Sequence, residues 1–157
     1  MRHVIVGNGP AGVIAAETLR SADPVGKILL IGDEPEPPYS RMAIPYLMIG
    51  NIQEPGTYLR KDKDHFTRQG IELVTARVER LDPARALLNL SNGTQLEFDR
   101  LLIATGSRPA APPISGIDLP GVHPCWTLED ARQLMKLARP KARVLQMGAG
   151  FIGCIIM

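Results

Sequence analysis

One stretch near the start of the chain constrains its fold more than any other. His3-Val4-Ile5-Val6 is a short apolar run, Gly7-Asn8-Gly9-Pro10-Ala11-Gly12 follows, and Val13, Ile14, Ala16 and Leu19 then recur at helical spacing. The reading is strand, glycine turn, helix. Gly7 lets the backbone turn sharply as it leaves the strand, Gly9 has no side chain to hold off a pyrophosphate, and Gly12 lets the helix sit close to the strand. The helix starts at the turn, so its free N–H groups and the positive end of its dipole face the phosphates. Pro10 fits a first helical turn because its missing N–H is not needed there.

Glycine turns are common, so the surroundings of this one matter. Lys27-Ile28-Leu29-Leu30-Ile31 reads as a second strand and ends in Gly32-Asp33-Glu34. That places a carboxylate about 20 residues past the last glycine, where a dinucleotide fold holds a ribose. Asp33 and Glu34 both meet the spacing.

Downstream, residues 33–59 form a long loop rich in proline and tyrosine, whose apolar content points to an ordered, packed segment. Residues 60–69 read as a polar surface helix ended by Gly70, with Arg60-Lys61-Asp62-Lys63-Asp64 as its solvated start. Ile71-Glu72-Leu73-Val74 alternates as a third strand. Leu87–Leu90 and Gln95–Phe98 flank Asn92-Gly93, a strong hairpin signal, so an antiparallel meander is expected over residues 77–98. Leu101-Leu102-Ile103-Ala104 reads as a buried strand ending in Thr105-Gly106.

A proline-rich connector follows at 111–126, closing a first domain at 1–110 and opening a second at 127–157. Thr127-Leu128-Glu129-Asp130 is a capping-box start, with Leu128, Ala131, Leu134 and Leu137 along one helix face. Arg143–Met147 reads as a strand. Gly148-Ala149-Gly150-Phe151-Ile152-Gly153 is then a second full GxGxxG, with Cys154–Met157 opening another helix. A helix of one turn is not stable alone, so a longer parent protein is expected.

Composition narrows the function. A net charge of +2 over 157 residues argues against a nucleic-acid or membrane surface. No apolar run approaches the ~20 residues of a membrane span. Cys125 and Cys154 lie far apart, without a CxxC, and read as reduced thiols of a cytoplasmic protein. His3, His65 and His123 lack metal-ligand spacing, so no metal site is expected and packing or surface roles are. Cys125 beside Trp126 reads as a buried structural thiol, and Cys154 as helix packing.

Two dinucleotide turns separated by a meander and an Ala-Thr-Gly strand end give the chain a family likeness. It resembles the FAD-dependent pyridine nucleotide-disulfide oxidoreductases. Within them it is most similar to NAD(P)H-dependent reductases of ferredoxins and rubredoxins and to the flavin part of NADH-dependent nitrite reductases. The fold implied is α/β: a three-layer FAD/NAD(P)-binding Rossmann-like domain with an antiparallel meander, cut at the start of a second Rossmann domain.

The resemblance also implies site residues. Gly7, Gly9, Pro10, Ala11 and Gly12 would hold the FAD pyrophosphate, Asp33 or Glu34 the adenosine ribose, and Arg41 of Pro38-Tyr39-Ser40-Arg41 the FAD phosphates. Val78 would meet adenine through its backbone, and Ala104, Thr105 and Gly106 would lie against FAD. Gly148, Gly150 and Gly153 would bind the pyrophosphate of NAD(P)H. The reaction implied is hydride transfer from NAD(P)H to FAD and electron delivery to an acceptor such as a small redox protein, with no side chain as general base. Thiol-using members carry a cysteine where this chain has Met42, which cannot form a thiolate. The short chain itself is expected to be inactive, and bare strand edges favour a homodimer. The contrasting expectations are a stand-alone adenine-nucleotide binding module, and an NAD-only dehydrogenase, which the meander disfavours.

Overall fold

The computed structural model describes residues 1–148 and 150–156, without the side chains of 151, 152 and 156. Ala149 of the second turn and Met157 of the last helix therefore lie outside the described residues. In chain order the elements are β1 (Arg2–Val6), α1 (Pro10–Ala22), β2 (Lys27–Gly32), α2 (Ile44–Met48), α3 (His65–Arg68), β3 (Ile71–Thr75), β4 (Val78–Asp82), β5 (Leu87–Leu90), β6 (Gln95–Glu97), β7 (Arg100–Ile103), α4 (Leu128–Leu137) and α5 (Phe151–Ile156). The chain divides into two compact units, Met1–Ser40 with Tyr58–Ser107, and Arg41–Thr57 with Arg108–Met157.

The first unit has three layers because its central strands are apolar on both faces. β1 and β2 pair in parallel, with Val4 beside Leu29 and Ile5 beside Leu30. Side chains alternate along a strand, so each strand feeds two cores. Ile5, Ile28 and Leu30 face α1, where they pack with Val13, Ala16, Phe66 and Ile71. Val4, Leu29 and Ile31 face the other way and pack with Ala76, Leu88 and Leu90. The second face is covered by the antiparallel sheet β4-β5-β6. Gly93, at a φ of 81°, makes the tight turn of the β5–β6 hairpin.

The parallel sheet has the order β3-β2-β1-β7. The chain moves outward from β1 to β3 and then returns to the other side of β1 as β7. The change of direction falls between β1 and β7, where an open α/β sheet leaves its crevice beyond the carboxyl ends of the strands.

Several local expectations need correction. Ile14 is 55% exposed, because the buried face of α1 is set by Gly12, Val13 and Ala16, whose centre lies about 150° away around the helix. β7 is not buried: it is an edge strand, and Leu102 and Ile103 are exposed. The helix expected over 60–69 is only His65–Arg68. Arg60 is not part of a solvated start. Its side chain is largely buried and grips Glu17 of α1. Residues 143–147 form no strand, and Val144 and Leu145 are exposed, since a single extended run with no partner satisfies none of its ladder hydrogen bonds. Leu137 and Cys154 are exposed as well, and Cys125 is only half-buried. Among the described residues, no helix is long and apolar enough to cross a membrane.

The Glu17 contact ties α1 to the segment before β3. Arg60 donates through Nε at 2.7 Å and through its terminal nitrogen at 2.5 Å, and His65 Nε2 lies 2.7 Å from the same carboxylate. The Arg60 hydrogen bonds, seconded by His65 against the opposing effect of burial, hold the Glu17 carboxyl below its ordinary 4.5. A depressed carboxyl contributes stability that is present above the unfolded value and is lost as the pH falls through the folded one. Asp23, Asp62 and Glu129 are shifted the same way, so the Glu17 share is a difference between two curves. Glu17→Gln is expected to cost about 1–3 kcal/mol at neutral pH, with the gap to wild type closing as the pH drops below 4.5. Urea midpoints across that range measure it, and a gap independent of pH would contradict the assignment.

Candidate functional site

The first glycine turn lies at the carboxyl end of β1, and its three glycines have different surroundings. Gly7 has a φ of 111°, a region that disfavours any other residue. A Cβ there would overlap the carbonyl of Ala104. Gly7 donates its N–H to Ile31 at 2.8 Å, while Ala104 donates to Val6 at 2.7 Å. The turn is therefore sewn to β2 on one side and to the end of β7 on the other. A Cβ on Gly12 would overlap the Gly7 carbonyl and come within 3.2 Å of Leu30 Cδ1. This contact seats α1 against the strand.

Gly9 differs from both. Its backbone is extended, at a φ of −73°, and a Cβ there would meet nothing within 4 Å. It is the N-cap of α1, with Pro10 at the first helical position and no side-chain cap. Val13 donates to the Gly9 carbonyl at 3.0 Å, which closes the first helical turn. The space in front of Gly9, bounded by uncapped helical N–H groups, suits an anion in chemistry and in room.

The acidic strand end lies beside this turn. A Cβ on Gly32 would run into the side chain of Asn8. Glu34 accepts a hydrogen bond from the Tyr39 hydroxyl at 2.6 Å. Asp33 lies 3.5 Å from an Arg77 terminal nitrogen, both side chains about half-exposed. Val78 follows directly as the first residue of β4. Ala76 donates to Gly32 at 2.8 Å, which brings the start of the meander to the end of β2. Gly7, Gly9, Gly12, Asp33, Glu34, Val78, Ala104 and Thr105 thus come together within the first unit. Gly106 follows at a φ of 65°.

Arg41 belongs to the second unit, where it opens a short 3-10 turn, Arg41–Ala43, before α2. Its guanidinium lies over the ring of Trp126, 5.0 Å from the centroid. The second glycine turn is in this unit too and repeats the first. Gly148 has a φ of 105°, a Cβ on Gly153 would overlap the Gly148 carbonyl, and a Cβ on Gly150 would meet nothing within 4 Å. Cys154 donates to Gly150 at 3.0 Å, as Val13 does to Gly9.

A family model described as pyridine nucleotide-disulphide oxidoreductase matches residues 1–156. The chain belongs to this family. It is 38% identical over 153 residues to the protein named "Probable ferredoxin reductase CtmF" from Castellaniella defragrans, a match covering 97% of this chain and 37% of that protein. It is 35% identical to the ferredoxin–NAD(+) reductase subunit of the benzene 1,2-dioxygenase system of Pseudomonas putida, again over 97% of this chain and 37% of the relative. The crystal structure of the ferredoxin reductase for the CYP199A2 system from Rhodopseudomonas palustris overlays with a TM-score of 0.92 at 32% identity, over 99% of this chain and 38% of that one. The chain thus spans a little over a third of the length of these family members.

Four side-chain pairings, three in the first unit and one in the second, were not apparent from sequence. Asn8 over Gly32, Tyr39 on Glu34, Arg77 opposite Asp33 and Trp126 under Arg41 all depend on which segments the fold brings side by side. The family pattern marks positions along the chain and carries no record of such pairings.

Proposed function

We propose that the chain supplies the FAD-binding turn and the first nicotinamide-nucleotide turn of a flavoprotein that takes electrons from NAD(P)H and passes them to an acceptor protein of the ferredoxin or rubredoxin type. The repetition of one glycine geometry in both units carries this reading: each turn has a positive-φ glycine, an open glycine and a tight glycine. One such turn suits one dinucleotide. Two turns in one family member suit a pair of dinucleotides that exchange electrons. The named relatives, a ferredoxin reductase and a ferredoxin–NAD(+) reductase subunit, support the acceptor class.

When bound, FAD supplies the redox chemistry by accepting a hydride equivalent and releasing electrons onward. The residues of this chain bind and orient. Gly7, Gly9, Pro10, Ala11 and Gly12 cradle a pyrophosphate, with the N–H groups of α1 as donors. Asp33 or Glu34 accepts from ribose hydroxyls, the Val78 backbone faces adenine, and Ala104, Thr105 and Gly106 form the wall beyond β7. Arg41 offers a planar, doubly donating cation to phosphate oxygens. Gly148, Gly150 and Gly153 do for NAD(P)H what the first turn does for FAD. No proton-transfer group is required of the chain. A cytoplasmic location is part of this reading.

Titration of the purified chain with FAD tests the reading. Flavin fluorescence is expected to change saturably, and ADP is expected to compete because it carries the adenosine and pyrophosphate that the first unit would hold. A folded chain, shown so by circular dichroism, that leaves flavin fluorescence unchanged would overturn it.

A further inference from the structure

We infer that Ser91 is a positioning residue for base recognition: it clamps the backbone of Arg77, and that clamp sets the direction in which the next residue, Val78, presents its N–H and C=O to adenine. The inference rests on the reading of Val78 as the adenine contact. Ser91 donates its N–H to the Arg77 carbonyl at 2.8 Å, and its Oγ accepts from the Arg77 N–H at 3.1 Å. Both backbone groups of Arg77 are thus turned toward Ser91. A trans peptide is planar, so the N–H of Val78 points opposite to the Arg77 carbonyl and away from β5. The ladder gives the same answer, because residues of an antiparallel pair alternate between those that bond across and those that face away. Val78 stands opposite Leu90, one step on from the bonded pair. Leu90 in turn donates to Thr94 at 2.9 Å, on the far side of β5. Since β4 is an edge strand of its three-stranded sheet, the N–H and C=O of Val78 point off that edge. A donor and an acceptor side by side match the N1 acceptor and the N6 amino donor of adenine.

The clamp matters because the ladder is broken on the other side of Val78. The register shifts between Val78 and Arg80, and a strand with such a shift bends and twists there. No regular pairing beyond Val78 can therefore set its direction, and the Arg77–Ser91 pair does so. The parts around the clamp are fixed. Ser91 opens the β5–β6 turn, in which Gly93, at a φ of 81°, donates to the Leu90 carbonyl at 2.9 Å. On the near side of Arg77, Ala76 donates to Gly32 at 2.8 Å, which ties the segment to the end of β2. The turn read in sequence from Asn92-Gly93 thereby orients a backbone contact in another strand. All of these residues belong to the first unit. Without the hydroxyl, Arg77 keeps one of its two bonds to Ser91, and the peptide between Ala76 and Arg77 loses the acceptor that holds it.

The test compares ADP with inosine diphosphate on the full chain by isothermal titration calorimetry, with circular dichroism as the control for folding. The two ligands share ribose and phosphates, but inosine presents a donor at N1 and an acceptor at O6, the reverse of adenine. The wild type is expected to prefer ADP about tenfold or more, since the inosine base mispairs both groups of Val78. Ser91→Ala is expected to lower the ADP affinity about fivefold and to leave that for inosine diphosphate unchanged, so that the preference narrows. Equal losses for both ligands, which a general loosening of the fold would give, or no loss at all, would overturn the inference. Equal affinities in the wild type, or no binding of either ligand, would instead overturn the nucleotide reading beneath it. Ser91→Thr keeps the hydroxyl and is expected to keep the preference; a loss matching that of Ser91→Ala would be the contrary result. Amide hydrogen exchange reads the clamp without ligand. The Arg77 N–H is expected to exchange faster in Ser91→Ala than in wild type, and an unchanged rate would mean that the hydroxyl does not hold it.

Discussion

Gly12→Val is expected to destabilise the first unit by about 3 kcal/mol or more, at the upper end of what overpacking costs. A Cβ at this position would overlap the Gly7 carbonyl and press on Leu30 Cδ1 at 3.2 Å. Neither neighbour can give way cheaply. The Gly7 carbonyl belongs to a turn whose N–H is committed to Ile31, and Leu30 is fully buried in the core shared with Val13 and Ala16. Relief therefore requires α1 to lift off the sheet, which uncovers that core. A domain with a total stability of about 5–15 kcal/mol has little to spare for such a change. Gly93→Ala is the matching control. Gly93, unlike Gly12, has a positive φ, but nothing lies within 4 Å of its would-be Cβ, so only the backbone preference is lost, about 1 kcal/mol. Urea unfolding followed by far-UV circular dichroism separates the two. A Gly12→Val midpoint no lower than that of Gly93→Ala would mean that α1 is not seated on the turn as described.

The same contrast explains what could be read from sequence. β1 and β2 were legible because unbroken apolar runs between turn signals have few other uses, and the three-layer fold follows from strands that must bury both faces. The Thr127–Asp130 cap was legible because its partners are three residues apart. Features that depend on distant neighbours were not. Leu102 and Ile103 have the composition of an interior strand, yet they are exposed because β7 has a partner on one side only. Val144 and Leu145 have the composition of a strand, but composition does not supply a partner. Glu17 carries no signal of its own in the sequence, because Arg60 and His65, which close around it, lie more than forty residues later. At the site, the glycine spacing was visible, whereas the choice between Asp33 and Glu34 hangs on Arg77 and Tyr39, whose approach is set by the register of the sheet and the path of a loop.

Gly9→Val and Gly150→Val are expected to separate the two nucleotides without disturbing the fold. Both positions are open, with nothing within 4 Å of a Cβ, and neither has a positive φ. A valine at either should leave the urea midpoint within about 0.5 kcal/mol of wild type, as for a surface change. Its methyl groups would occupy the space in front of the helix N-terminus that a pyrophosphate bound as proposed would enter. Two hydrogen bonds from backbone N–H to a charged oxygen, at about 1.5–3 kcal/mol each, are then lengthened or lost. Affinity is expected to fall about 100-fold or more. In Gly9→Val the loss should fall on FAD and ADP. In Gly150→Val it should fall on NADH and leave FAD unchanged. Fluorescence titrations with each nucleotide read the four combinations. Loss of FAD in Gly150→Val with retention in Gly9→Val would reverse the assignment of the turns. Equal loss of both nucleotides in both variants would mean that the two turns do not act as separate sites. The experiment is informative because the residues that give the turn its shape, Gly7 and Gly12 in the first and Gly148 and Gly153 in the second, are left untouched: a fold-neutral change at the open glycine isolates the ligand's need for space from the backbone's.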